Sequence, residues 1–164
     1  MDHAGQPRVL VAGIGNVFRT DDGFGPEVAL RLSRLSWPDA VRVTDYGIRG
    51  LHLAYDLLEP WDALVLIDAL PDRGEVGSVA LLEIGDEQPG GAAFDAHGMD
   101  PATVLASVGA LGGRRPPRTL LVGCQVAETG DGMGLTPGVE AAVDTAARTV
   151  RTVVAQLLEP AEVG

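Results

Sequence analysis

Two carboxylates and one imidazole occupy positions from which they could act together. Asp22 lies in a glycine-rich loop that follows an apolar run at residues 8–12, Asp68 comes directly behind a second apolar run at residues 63–67, and His97 precedes a predicted helix. In an open α/β sheet, ligands bind outside the carboxyl ends of the strands. Two carboxylates and one imidazole suit a divalent metal ion that is exchanged or shared with a substrate.

Each of these acids also has a simpler interpretation. Asp21 and Asp22 stand just before a predicted helix, where the helix dipole favours carboxylates, and Asp68 could cap a loop. The other histidines, His3 in the N-terminal tail and His52 in a predicted helix, are interpreted as residues without a chemical role.

Composition excludes several classes of function. The 164 residues carry 23 acidic and 12 basic side chains, a formal net charge of −11, which disfavours nucleic acid and anionic membranes as partners. All 12 basic residues are arginine, which excludes mechanisms that need a lysine. The single cysteine, Cys124, excludes an intramolecular disulfide.

We expect one soluble, cytoplasmic, monomeric domain over residues 1–164, with residues 1–7 as a flexible tail. We expect no signal peptide and no membrane span.

Hydrophobic patterns predict five strands, at residues 8–12, 41–44, 63–67, 78–84 and 119–123. Four helices alternate with them, beginning at Pro26 and at residues 50, 101 and 137. The order β-α-β-α-β-β-α-β-α predicts an α/β fold, a three-layer α/β/α sandwich. Because a parallel crossover needs about a dozen residues or more, the short join at residues 68–77 predicts that strand four runs antiparallel in a mixed sheet.

The ligand crevice should lie where the winding of the sheet reverses. If the first two helices pack on the face opposite to the later ones, strands one and three flank that point. The loop behind strand one opens with Gly13 and Gly15, as a dinucleotide site does, but position 18 is phenylalanine and the helix does not follow directly. A nucleotide-binding function is therefore disfavoured.

Five short motifs occur in one order along the chain: VLVAGIGNVFRTDDGFG at residues 9–25, DYGIRG at 45–50, LVLIDA at 64–69, HGM at 97–99 and GLTP at 134–137. Together they resemble the hydrogenase maturation endopeptidases, which trim the C-terminal extension of the large subunit of nickel–iron hydrogenases. The resemblance implies a five-stranded sheet of order 2-1-3-5-4 with strand four reversed.

The resemblance also implies roles for particular residues. Asp22, Asp68 and His97 match the positions that contact metal and carry the catalysis. Asp45, Gly47 and Asn16 are expected to support the site or bind substrate. The resemblance implies that the metal is nickel, already inserted in the hydrogenase precursor, and that no organic cofactor takes part. The metal could polarise the scissile carbonyl or activate water, and a carboxylate could act as base.

Two further functions stay open at this point. Cys124 ends a predicted strand and, with His97, could form a thiol hydrolase, although a lone cysteine there is usually a small buried apolar residue. Alternatively, the chain could be a non-enzymatic nickel-binding accessory protein or chaperone of the same fold, because fold alone does not fix function.

Overall fold

The computed structural model describes residues 6–85 and 101–159. Within them, strands and helices alternate in the predicted order: β1 Val9–Ile14, α1 Phe24–Ser33, β2 Val41–Gly47, α2 Gly50–Asp56, β3 Ala63–Leu70, β4 Val79–Glu83, α3 Pro101–Ala110, β5 Arg118–Gln125 and α4 Pro137–Leu158. A one-turn 3-10 helix, Thr20–Gly23, leads into α1. Among the described helices, none has the length and apolar character needed to cross a bilayer.

The strands form one mixed sheet in the order β2-β1-β3-β5-β4. β1 pairs in parallel with β2 and β3, β3 pairs in parallel with β5, and β4 runs antiparallel to β5. The join from β3 to β4 spans only residues 71–78 and contains no helix. The predicted sheet order and the reversed fourth strand are both confirmed.

Two apolar layers cover the sheet. Side chains alternate along β3, so that Val65 and Ile67 enter one layer while Leu64 and Leu66 enter the other. The first layer is completed by α1 and α4, and the second by α2 and α3. The assumption that the first two helices share a face was wrong. The connection through α1 runs from β1 to β2, and the connection through α2 runs in the opposite direction, from β2 past β1 to β3. Because both crossovers are right-handed, opposite directions across the sheet put the two helices on opposite faces.

The reversal of winding nevertheless falls between β1 and β3, where the crevice was predicted. Several element boundaries differ from expectation, and three of them bear on the site. β2 and β3 continue to Gly47 and Leu70 because their ladders to β1 and β5 continue, so Asp45 and Asp68 lie inside strands. α1 begins at Phe24, before the proline that the sequence favours as the first helical residue.

The spacing of apolar residues predicts a stripe on one face of the second helix, made of Leu51, Tyr55 and Leu58, and a second stripe along the last helix. The stripe predicted for α4, including Val143, Val150 and Val154, is buried as expected. On α2 the predicted set is exposed, and the buried set consists instead of Leu53, Ala54 and Leu57. Both sets on α2 have three- and four-residue spacing, so periodicity alone does not choose between them.

Gly25 fixes the position of α1 against the sheet. A Cβ atom at this residue would overlap the carbonyl oxygens of both Ile14 and Ile67. The first turn of α1 therefore rests directly on the carboxyl ends of β1 and β3. This close approach anchors the loop between β1 and α1 over the point where the winding reverses.

Replacing Gly25 by alanine should lower the free energy of unfolding by about 1–3 kcal/mol, because the methyl group must displace backbone atoms of two strands. Chemical denaturation measures the change. The matched control is Gly109→Ala in α3, where an added Cβ meets nothing within 4 Å and the higher helix propensity of alanine should stabilise the protein by up to about 1 kcal/mol. Equal effects of the two substitutions would contradict the proposed close contact.

Candidate active site

The loops behind β1 and β2 meet at two glycines. The Gly15 amide donates a hydrogen bond to the Gly47 carbonyl oxygen at 2.9 Å. Gly15 has φ +143°, and a Cβ there would overlap the carbonyl oxygen of Asp22. The glycine thus lets the 3-10 turn that carries Asp22 fold back onto the end of β1.

Asp22 lies at the mouth of a cleft and is held there by backbone. Its Oδ2 atom accepts a hydrogen bond from the Asn16 amide at 2.8 Å, and the Asn16 Oδ1 atom accepts one from the Phe18 amide at 2.9 Å. Asn16 therefore shapes the loop around Asp22, while its support of a catalytic site stays a prediction. The cleft has a volume of about 210 Å³ and is lined by Asp22, Ala69, Leu70, Pro71, Asp72, Val126, Ala127 and Thr129.

Asp68 belongs to the same edge of the sheet. It is only 8% exposed, and its Oδ1 atom accepts a hydrogen bond from the Ala69 amide at 2.8 Å. The two residues that follow it, Ala69 and Leu70, line the cleft together with Asp22. The structure therefore brings both predicted carboxylates to the carboxyl end of β3.

His97 lies outside the described residues, so the expected three-ligand set of Asp22, Asp68 and His97 stays a prediction. Within residues 6–85 and 101–159, no group of three or more His, Cys, Asp or Glu side chains is placed to hold a metal ion. A complete metal site formed here needs a ligand from elsewhere, such as His97 or the substrate.

Asp45 and Gly47 form a tight turn at the end of β2. The Asp45 Oδ1 atom accepts a hydrogen bond from the Gly47 amide at 2.9 Å, and Gly47 has φ +56°. Arg49 reinforces the turn by donating to the carbonyl oxygens of Asp45 and Tyr46. The turn role of Asp45 is thus explicit, while contact of Asp45 or Gly47 with substrate stays a prediction.

Tyr46, which lies between Asp45 and Gly47, attaches this turn to α2. Its side chain is fully buried and its hydroxyl donates a hydrogen bond to Asp56 Oδ2 at 2.6 Å. Burial, together with the neighbouring carboxylate of Asp56, holds the pKa of Tyr46 well above its ordinary value. The phenol therefore stays neutral and acts as a fixed donor that ties β2 to α2.

Asp21 has a role that sequence reasoning missed. The sequence suggests an acid favoured by the dipole of α1. In the structure, however, Gly23 occupies the N-cap position of α1, and the Asp21 side chain is fully buried against the loop between β5 and α4. Its two oxygens accept hydrogen bonds from the amides of Ala127 and Glu128 and from both the amide and the hydroxyl of Thr136, at 2.6–3.1 Å.

This carboxylate joins the loop of Asp22 to the loop that connects β5 to α4. The backbone repeats the connection, because the amides of Thr20 and Asp21 donate to the carbonyl oxygens of Gly132 and Glu128. The sequence contains only weak signs of this connection. They are a second acid beside Asp22 and a Thr-Pro pair at the start of the last helix, and more than a hundred residues separate the two.

Asp21→Ala should lower the free energy of unfolding by about 2–4 kcal/mol, because it leaves several backbone donors without their acceptor. Urea denaturation gives the measurement. Asp131→Ala, an exposed acid in the same β5–α4 loop, is the control and should change stability by no more than about 0.5 kcal/mol. An Asp21 variant as stable as the control would show that the loops are held together by other contacts.

Cys124 is unsuited to nucleophilic catalysis. The side chain is fully buried beside the α1 and α4 layer. Burial, and secondarily the carboxylate of Asp21, raises the pKa of the thiol to about 11. A catalytic thiol needs the opposite shift, toward the thiolate form. The geometry therefore favours the structural interpretation of Cys124 over the thiol hydrolase.

Native protein should react with iodoacetamide at pH 8 at least about 100-fold more slowly than protein unfolded in urea, since the folded thiol is both protonated and buried. Mass spectrometry of the alkylated chain follows the reaction. Comparable rates in the two states would contradict the placement of Cys124.

The fold is an α/β sandwich around a mixed sheet, with Asp22 beside a cleft at the carboxyl end of β3 and Asp68 within that strand. Residues 26–153 match the family described as HycI, hydrogenase maturation protease. The chain belongs to the hydrogenase maturation protease family. This membership confirms the resemblance seen in the sequence, and with it the predicted fold and the endopeptidase class.

Individual relatives agree with this assignment. The hydrogenase expression/formation protein HupD of Bradyrhizobium diazoefficiens is 36% identical over 137 residues, which cover 80% of this chain and 70% of HupD. The hydrogenase 2 maturation protease of Escherichia coli is 30% identical over 148 residues, covering 87% of this chain and 88% of the relative. The structure of the hydrogenase maturating endopeptidase HybD from E. coli superposes with a TM-score of 0.77 at 27% identity, covering 91% of this chain and 93% of HybD.

Proposed function

We propose that this chain removes the C-terminal extension of a nickel–iron hydrogenase large-subunit precursor after nickel has been inserted. The observation that carries the proposal is the family match over residues 26–153 combined with Asp22 at the cleft that its turn forms with the end of β3 and the loop behind β5. The partner is the precursor protein and the reaction is hydrolysis of one peptide bond. We place this activity in the cytoplasm, in a monomeric enzyme.

Asp22, Asp68 and His97 are the groups proposed to contact the nickel ion of the substrate. Two carboxylates and one imidazole are hard and borderline ligands that leave coordination positions open, so they hold nickel only moderately by themselves. A metal presented on the ligands of the precursor would complete its coordination sphere across the interface. Recognition of the ion then makes cleavage conditional on finished metal insertion.

The residues of this chain contribute position and charge to the reaction. Asp22 is oriented by the Asn16 amide, and Asp68 is held within β3 next to the cleft. Bound nickel, when the precursor supplies it, is a Lewis acid for the scissile carbonyl or for water. A carboxylate that is not engaged by the ion can take the proton of the attacking water.

The test mixes this protein with precursor prepared with and without nickel and follows C-terminal trimming by mass. Only the nickel-loaded precursor should be shortened. Asp22→Asn, Asp68→Asn and His97→Ala should each slow trimming by about 100-fold or more, because each removes a proposed metal contact. Asp22→Asn preserves an oxygen acceptor for the Asn16 amide, so the loop should stay folded.

The control for these variants is Asp72→Asn, another carboxylate that lines the same cleft and accepts a hydrogen bond from the Gly74 amide. Its trimming rate should stay within about threefold of wild type. Equal trimming of nickel-free precursor would overturn metal recognition. Binding of the loaded precursor without any trimming would favour the accessory-protein function.

A further inference from the structure

The most exposed large apolar side chains in the described part of the chain share one edge of the molecule. Phe18, Ile48, Leu51 and Met133 are 60–73% exposed, and every other large apolar residue described is at most 53% exposed. All four lie at the carboxyl ends of the strands: behind β1, behind β2 and behind β5. Apolar side chains gathered in this way mark an interaction surface more often than scattered ones do.

The loops that carry these side chains are connected to each other. The Gly132 amide donates a hydrogen bond to the Phe18 carbonyl oxygen at 2.9 Å, which places Met133 beside the Phe18 segment. On the other side, the hydrogen bond from Gly15 to Gly47 joins the first loop to the turn that precedes Ile48. The apolar residues are therefore presented on a preorganised frame, which limits the entropy lost on binding.

The same frame includes the Asp22 loop, which borders the cleft. In the sheet, β2 lies on one side of β1 while β3 and β5 lie on the other. Ile48 and Leu51 therefore stand on one flank of the Asp22 loop, and Met133 on the opposite flank. Val17 and Phe18, which are 40% and 65% exposed, stand in the Asp22 loop itself.

We propose that Val17, Phe18, Ile48, Leu51 and Met133 form a docking face for the folded body of the hydrogenase large-subunit precursor. This inference rests on the proposed function and specifies how the substrate is held. A single extended peptide lying in the cleft would contact one flank, whereas side chains from three loops on both flanks require a partner with a broad surface. Interfaces of this kind place exposed aromatic and methionine side chains at the centre of the contact.

The experiment measures both binding of the nickel-loaded precursor by biolayer interferometry and its trimming kinetics by mass. Phe18→Ser and Met133→Ser should each raise the dissociation constant and KM by about tenfold or more, while kcat stays within about twofold of wild type. The matched control is Leu30→Ser on α1, which removes an exposed leucine that lies on a helix and outside the three loops. Unchanged melting temperatures establish that all three variants are folded.

The outcomes separate this inference from the proposed function. Wild-type protein that binds the precursor without cutting it refutes the function but retains the docking face, provided that the two variants bind more weakly than Leu30→Ser. Variants that bind and cut like wild type overturn the docking face and leave the function intact. Self-association of wild type that both variants abolish, with trimming unchanged, would assign the face to a second copy of this chain. Wild type that neither binds nor cuts the precursor overturns both.

Discussion

The buried carboxylate of Asp21 is the interaction on which the architecture of the site depends. It accepts hydrogen bonds from backbone and side-chain donors at residues 127, 128 and 136 and so fixes the first loop to the start of α4. Because Asp22 is the next residue, its position follows from this connection. Burying a carboxylate is unfavourable unless hydrogen-bond donors satisfy it. The donors of Asp21 lie behind β5 and at the start of α4, so the loop behind β1, the loop behind β5 and the start of α4 keep fixed relative positions.

The adjacent acids Asp21 and Asp22 thus have different structural roles. Asp21 is fully buried and satisfied by the fold, while Asp22, which borders the cleft, is oriented by the Asn16 amide. The close contact of Gly25 with the ends of β1 and β3 brings the whole loop onto the point where the winding reverses. Rigid support beneath an accessible carboxylate is what metal recognition requires, since ligands must be held near their binding geometry before the ion arrives.

The hydrogen-bonded loops that hold Asp22 also carry the apolar residues of the proposed docking face. Asn16, whose amide orients Asp22, also accepts a hydrogen bond from the Phe18 amide. The Gly132 amide in turn links Phe18 to the segment of Met133, so the polar cleft and the apolar docking face share one frame. Under the proposed function, a large partner would align its bound metal with the acids only when its surface fits the docking face. The two proposals together therefore predict that selection by a protein surface and selection by a metal ion are coupled through one set of loops.

The sequence by itself determined the α/β class, the reversed fourth strand and the family, because continuous apolar runs, a join too short for a crossover and ordered motifs are local features. It also identified Asp22 and Asp68 as acids near strand ends. Only the tertiary structure decided that Asp21 is a buried tie to Thr136, that Leu51 faces outward while Leu53 is buried, and that α1 packs with α4. Those outcomes depend on contacts between residues far apart in the chain, which no local pattern encodes, and on a choice between helix faces that periodicity leaves equal.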